Sequence, residues 1–400
     1  MKQGRGIVAY FFAIFLFLGL YMSMLQRVVG EIAAKYTLDN TAMGTIITMT
    51  FVGFAVSPIL TGEATDRYGR RRVVLLAFIG MLAGFGLALC IDSPAGVGAG
   101  FFVSGLAFGV FEMTISSILT DMHPESANKV LNYSRLCYAL GTISGPFIAM
   151  GLLSAFHDWI YVMVVDLVLL VVLLLVFLRI SYPTPAYPNR IEKQKGQPSV
   201  TVSLLKNRTL ILLSLSVLMY SAVESGLTFY VSKYIGQMSH DMLLSTLTLS
   251  GFWVFAAVGR IIVARFNREL HLVIAILAVI AGIGLAICLI TDALAVSIAA
   301  FGVMGLGCSA IYPTLLAAGK LRFPQFTATA FGIILSVGAL GGILQPLVMG
   351  AVADAAASLK AALTTCLVPI AAIVALQAVL RVKQNKQMQA DVGNDHSSAI

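Results

Sequence analysis

Charge is what this chain has least of. Only 11% of its 400 residues are Asp, Glu, Lys or Arg, against 59% hydrophobic ones, whereas a water-soluble domain carries about a quarter charged residues. With a mean hydropathy of +0.93, most of the chain must have lipid as its solvent, and a soluble globular fold is excluded. Reactive groups are scarce too. The five histidines, His123, His157, His240, His271 and His396, are isolated and lie near loops, and no H-E-x-x-H occurs. Cys90, Cys137, Cys288, Cys308 and Cys366 fall inside apolar stretches without C-x-x-C spacing, so they read as small packing residues and support neither a disulfide framework nor a metal site. Gly319-Lys320 lacks the upstream glycine of a phosphate-binding loop. Neither catalysis nor ATP-driven pumping has a basis here, and no enzyme activity, cofactor or metal is expected.

What is present is a series of twelve apolar stretches, at 7–29, 42–62, 73–91, 95–120, 132–155 and 159–180, then 209–232, 243–264, 271–290, 293–318, 326–350 and 357–381. Since about 20 apolar residues cross a bilayer once, twelve crossings use nearly all of these 400 residues and leave no room for a soluble enzyme domain. Lys2 and Arg5 precede the first stretch as in a signal peptide, but the run continues without a small-residue cleavage site, so it reads as a retained membrane helix. A linker at 181–208 carries Pro183, Pro185, Pro188 and Pro198 among Arg190, Lys193, Lys195 and Lys206. It separates a bundle at 1–180 from one at 209–381, and the tail at 382–400 reads as disordered.

Loops facing the cytoplasm accumulate Lys and Arg. With both termini inside, all but Arg27, Lys35, Lys233 and Lys360 of the 26 basic residues fall on the cytoplasmic side. The net charge of +8 is then explained by topology, and nucleic acid is not an expected partner. The expectation is a monomeric, multi-pass protein of the cell (inner) membrane whose partners are lipid, a small-molecule substrate and protons.

The two halves repeat. A shift of 198 residues places Gly53 on Gly251, Phe54 on Phe252, Arg67 on Arg265 and Arg70 on Arg268, and a shift of 200 places Gly141 on Gly341 and Pro146 on Pro346. Parallel repeats of this kind are a construction principle of secondary transporters.

Between the second and third stretches the chain reads Gly62-Glu63-Ala64-Thr65-Asp66-Arg67-Tyr68-Gly69-Arg70-Arg71-Arg72. This resembles the G-x-x-x-D-R-x-G-R-R signature of the major facilitator superfamily, complete at every defined position. The resemblance implies an all-α integral membrane fold of twelve transmembrane helices in two pseudo-symmetric six-helix bundles. In it Gly62, Asp66, Arg67, Gly69 and Arg70 form a cytoplasmic gate motif. Asp66 would meet the positive amino end of the eleventh helix, near Phe326 or Thr327, and be held there by Arg67 and Arg70. Arg71 and Arg72 read better as headgroup anchors.

A finer resemblance, to the fucose permease group of sugar and proton symporters, rests on Gly109-Val110-Phe111-Glu112, Asp121-Met122-His123-Pro124, Ile311-Tyr312-Pro313-Thr314 and Thr327 to Gly332. Gly141, Gly145 and Pro146 in the fifth helix permit close packing and bending. The group's second acid, on helix one, corresponds here to Gln26, which cannot titrate.

Three acids lie well inside the stretches, Glu112, Asp166 and Glu224, and ionisable groups at that depth are functional by default. A carboxyl out of water favours its neutral form, so it can take a proton on one side and release it on the other. Glu112 and Glu224 are the first candidates for proton coupling, Glu224 replacing the acid missing at Gln26; the alternative is a hydrogen bond to a neighbouring helix. Asp166, about two turns from the outer surface, reads equally as structural. Gln26, Tyr220 and Gln345 are the substrate-cavity candidates, and Arg27 with Glu31 a local ion pair. The resulting reading is a secondary active transporter, proton-coupled, for a sugar-like or related polar solute. The second reading is a proton-coupled exporter of drugs or metabolites, which in this superfamily carries an Arg in helix four and a longer glycine pattern in helix five. Phe101 to Leu119 contains no Arg, and Ala149-Met150 interrupts that glycine pattern.

Overall fold

A computed structural model describes residues 2–38, 40–180 and 199–397, and among them the regular structure is helical, with no strand. In chain order the helices are α1 (Lys2–Lys35), α2 (Asn40–Tyr68), α3 (Arg70–Cys90), α4 (Pro94–Met122), α5 (Ala127–Phe156), α6 (Ile160–Arg179), α7 (Val200–Leu205), α8 (Arg208–Ser239), α9 (Met242–Val263), α10 (Leu270–Ile290), α11 (Leu294–Cys308), α12 (Ile311–Arg322), α13 (Thr327–Ala356), α14 (Leu359–Thr364) and α15 (Leu367–Ser397). They supply twelve stretches long and apolar enough to span a bilayer, α11 with α12 forming the tenth and α14 with α15 the twelfth. Starts are set by local chemistry. Ser93 accepts a hydrogen bond from Gly96 N with Pro94 in the first turn of α4, and Asn207 and Asp241 cap α8 and α9 in the same way.

Contacts divide the chain into two units. The first comprises Met1–Leu205 with Gly319–Ala339, the second Lys206–Ala318 with Leu340–Ile400. In the first, α4 is enclosed by α2, α3 and α5, and α1 lies along α5, over a core that includes Phe11, Phe15, Tyr21, Phe78, Phe85 and Phe111. In the second, α10 packs on α11 and α15, and α8 on α9 and α15.

The repeat recurs as packing. A Cβ on Gly141 would lie 2.1 Å from Leu16 O, and one on Gly341 would lie 1.9 Å from Leu218 O. One on Gly105 would lie 2.2 Å from Thr50 O, and one on Gly305 would lie 2.3 Å from Phe252 O. In both units the same two helix pairs, first with fifth span and second with fourth, touch backbone to backbone where only glycine fits.

The structure adds one observation to the charge pattern and corrects two sequence expectations. Arg135, Arg260 and Lys320, counted among the topology-marking charges, are buried within α5, α9 and α12. The tenth stretch is interrupted at Ser309 and Ala310, because Pro313 has no N–H to give the Ser309 carbonyl one turn back; Arg260 Nε donates to that carbonyl instead, at 2.9 Å. The tail expected to be disordered continues α15 to Ser397, its run of Lys, Gln, Met and Ala being good helix formers. The linker prolines, with Arg190, Lys193 and Lys195, lie outside the described residues.

Because Gly141 has carbonyl oxygen against its Cα whereas Gly151 has open space, Gly141→Leu is expected to lower the melting temperature of the detergent-solubilised protein by many degrees and Gly151→Leu to leave it unchanged. Unfolding can be followed by a thiol-reactive dye reaching buried Cys288, Cys308 and Cys366.

Candidate functional site

At the end of the first unit that carries the motif, α2 stops at Tyr68 and the chain turns through Gly69, whose φ of 91° is open to glycine and strained for other residues. Asp66, fully buried, accepts hydrogen bonds from Thr329 N (2.8 Å), Thr329 Oγ1 (2.7 Å) and Ala328 N (3.3 Å). These amides open α13, so the carboxylate satisfies donors that the helix itself leaves unpaired and meets its positive end. Gly62, one turn earlier, makes room: a Cβ there would lie 2.9 Å from Ala328 O and from Thr329 Cα.

The arginines divide their work differently from the expectation. Arg70 lies 3.6 Å from Asp66 and also pairs with Asp121. Arg67 does not hold Asp66; it pairs with Glu63, four residues back on the same helix, a local geometry that costs little to form. Glu63 also accepts from Thr201 N (3.1 Å) and Thr201 Oγ1 (2.8 Å), tying the end of α2 to α7. Asp121, at the end of α4, pairs in addition with Lys320, whose Nζ reaches Thr327 Oγ1 at 3.0 Å. Asp121 and Lys320 were not singled out from sequence; both sit at helix ends, where they read as loop charges.

Deeper in the first unit, Glu112 on α4 is buried and takes a hydrogen bond of 2.5 Å from Arg135 Nη2 on α5. The guanidinium lies 5.2 Å from the Phe15 ring and 6.0 Å from that of Tyr138, within cation–π range. The sequence signal for Arg135 was present, since it falls inside the apolar stretch 132–155. Asp166 on α6 is fully enclosed and neither of its carboxylate oxygens is hydrogen-bonded. Tyr21 on α1, also buried, bonds Ser104 at 2.7 Å. Gln26 is exposed on α1, and Arg27 and Glu31 form an exposed pair at 4.0 Å. Gly145, like Gly141, faces α1, with Ser23 Oγ at 2.0 Å from a Cβ built there; Pro146 is accommodated inside an unbroken α5.

In the second unit, the Tyr220 hydroxyl donates to Glu224 Oε1 at 2.6 Å across one turn of α8, and its ring centre lies 6.1 Å from that of Tyr312. Gln345 on α13 donates from Nε2 to Thr365 Oγ1 at 2.9 Å and lies against Gly226 on α8. Tyr220, Glu224 and Gln345 thus belong to one neighbourhood.

The Major Facilitator Superfamily profile matches residues 8–346. The chain belongs to the major facilitator superfamily. Among its relatives in that superfamily, the gentisate transporter of Corynebacterium glutamicum is 24% identical over 367 residues, 86% of this chain and 80% of that protein. The 4-hydroxybenzoate transporter PcaK of Pseudomonas putida is 25% identical over 181 residues, 44% of this chain and 39% of PcaK. Among solved structures, FucP, the fucose:proton symporter of E. coli, in its outward conformation superposes with a TM-score of 0.81 at 19% identity, covering 94% of this chain and 99% of FucP. The shared fold is that of a multi-pass major facilitator transporter with twelve spans.

Asp121→Asn removes the carboxylate that Lys320 and Arg70 share, and removing one partner of a buried ion pair costs about 3–5 kcal/mol. It is expected to lower thermal stability strongly, and Lys320→Met in the same chain to restore part of the loss; equal damage by the double variant would refute the pairing.

Proposed function

We propose that the protein is a secondary active transporter that moves a small polar solute, sugar-like or related, by alternating access coupled to protons. Glu112 and Glu224 are the titrating groups, Asp66 with Arg70 is the cytoplasmic gate, and Gln26, Tyr220 and Gln345 contribute to the substrate cavity. Chain termini face the cytoplasm, and two six-helix bundles at 1–180 and 209–381 form the moving parts. The observation that carries this reading is that both intramembrane acids meet an ionisable side chain within hydrogen-bond distance, Tyr220 for Glu224 and Arg135 for Glu112. Ionisable groups held together at that depth are candidates for proton exchange. Asp66, with three donors from the start of α13, is suited to holding a closed state instead.

Export remains the second reading, and one observation favours it. The guanidinium missing from helix four is supplied beside Glu112 by α5, so the absence of Arg between Phe101 and Leu119 no longer speaks against an exporter. The sign of the proton flux separates the two.

The test uses purified protein in liposomes loaded with a pH-sensitive dye, with fucose, gentisate and 4-hydroxybenzoate as solutes. Solute added outside is expected to acidify the lumen if the protein is a symporter and to alkalinise it if it is an antiporter. Glu112→Gln and Glu224→Gln should each reduce the coupled flux at least tenfold, the comparison being made per mole of protein recovered folded. Undiminished pH-driven flux in both variants would sink proton coupling through these residues.

A further inference from the structure

Three arginines at the end of the first unit that carries the motif stand apart from its ion pairs. Arg71 and Arg72 lie in the first turn of α3, and Arg179 is the last residue of α6. All three are exposed, and none forms an ion pair with the described residues. The acids at that end are engaged elsewhere: Glu63 by Arg67 and α7, Asp66 by α13 and Arg70, Asp121 by Arg70 and Lys320. Glu125, between α4 and α5, is exposed and makes no ion pair among the described residues. α3 contains no acid, α1 none before Glu31, and α6 only Asp166, which lies about 20 Å back along the helix. The segment 181–198 that follows Arg179 adds Arg190, Lys193 and Lys195 against the single acid Glu192.

The three cations share one place because α3 and α6 pack side by side. The Arg71 guanidinium carbon lies 6.0 Å from the centre of the Phe177 ring, within cation–π range. That ring is fixed in turn by Phe78 of α3 at 5.5 Å and by Tyr10 of α1 at 6.3 Å, whose hydroxyl donates to Leu173 O at 2.7 Å. Each helix also continues from its arginine into the membrane. Arg72 stands on one face of α3 with exposed Leu76 and Ile79, and Arg179 on one face of α6 with exposed Leu175 and Val172.

The second unit shows what the first leaves out. The shift of 198 residues that places Arg70 on Arg268 places Arg71 on Glu269. Glu269 pairs at 3.1 Å with Arg381, which stands at the end of the twelfth apolar stretch as Arg179 does at the end of the sixth. The second unit therefore neutralises these helix ends from within, and the first has a cation where the second has the acid. Its counter-charge is left to the surroundings, which at the edge of a bilayer are phospholipid headgroups.

We propose that Arg71, Arg72 and Arg179 hold the phosphate of an anionic phospholipid whose acyl chains lie along the exposed faces of α3 and α6. Guanidinium groups match phosphate oxygens in two-point contact. A zwitterionic lipid brings a cation of its own into the same cluster, so the site selects a headgroup with net negative charge.

Full-length protein in detergent, titrated with phosphatidylglycerol or with phosphatidylcholine of the same acyl chains and read by native mass spectrometry, tests this. At about 0.1 M salt, wild type is expected to bind phosphatidylglycerol about a hundredfold more tightly, at about fivefold per arginine, and the preference should shrink at about 1 M. Arg71→Gln/Arg72→Gln/Arg179→Gln should bind the two lipids alike, and each single variant should lose about fivefold. Arg265→Gln/Arg268→Gln, which removes exposed cations from the second unit, should keep the preference. Glycerol 3-phosphate, the headgroup phosphate without chains, should fail to displace phosphatidylglycerol at equal concentration. Equal binding of the two lipids by wild type, which needs no variant to observe, would overturn the inference. So would a preference retained by the triple variant, an equal loss in the second-unit control, or displacement by glycerol 3-phosphate, which would mark a phosphate site and not a lipid site.

Discussion

A charge taken out of water must find its opposite nearby or cost several kcal/mol, and the chemistry-bearing parts of this chain are arranged around that requirement. With 11% of residues charged, few ions lie at depth, and most of those that do are matched: Glu112 to Arg135, Asp121 to Arg70 and Lys320, and Asp66 to the open end of α13. Asp166 is the exception, enclosed with no hydrogen bond to either oxygen. Glycine makes one of the matches possible. At Gly62 the close approach of α2 to the start of α13 brings the short side chain of Asp66 within reach of its amides.

The motif between α2 and α3 acquires a physical reading residue by residue. Gly62 admits the first turn of α13, Asp66 terminates it, Gly69 turns the chain through a positive φ, and Arg70 connects Asp66 to Asp121. Arg67 does something separate, bracing Glu63 where that carboxylate receives α7. The motif therefore joins three neighbours to the end of α2, and the described part of the linker is one of them.

Much of the architecture was legible in the sequence because lipid imposes a coarse rule: apolar runs of sufficient length become helices. The twelve runs, the glycine repeat and the Asp66 contact near Thr327 follow from pattern alone. What was not legible depended on direction within a helix. Arg135 and Arg260 fall inside predicted spans, yet a rule that assigns positive charge to loops sorted them with the loops. Arg67 and Arg70 are three residues apart and point to different partners, which only the helix phase decides. The gap that Pro313 opens at Ser309 is predictable; that Arg260 fills it requires knowing that α9 and α11 lie side by side.

Asp121 and Lys320 stand 199 residues apart, between the two shifts of 198 and 200 that superimpose the halves, so within one residue they occupy the same place in the repeat. Had both halves kept a single sequence, identical charges would have met at this point and repelled. Opposite signs make the meeting attractive and give each half a polarity of its own. A chain assembled from two copies of the first half, or of the second, would lose this contact, so the halves have become complementary rather than interchangeable.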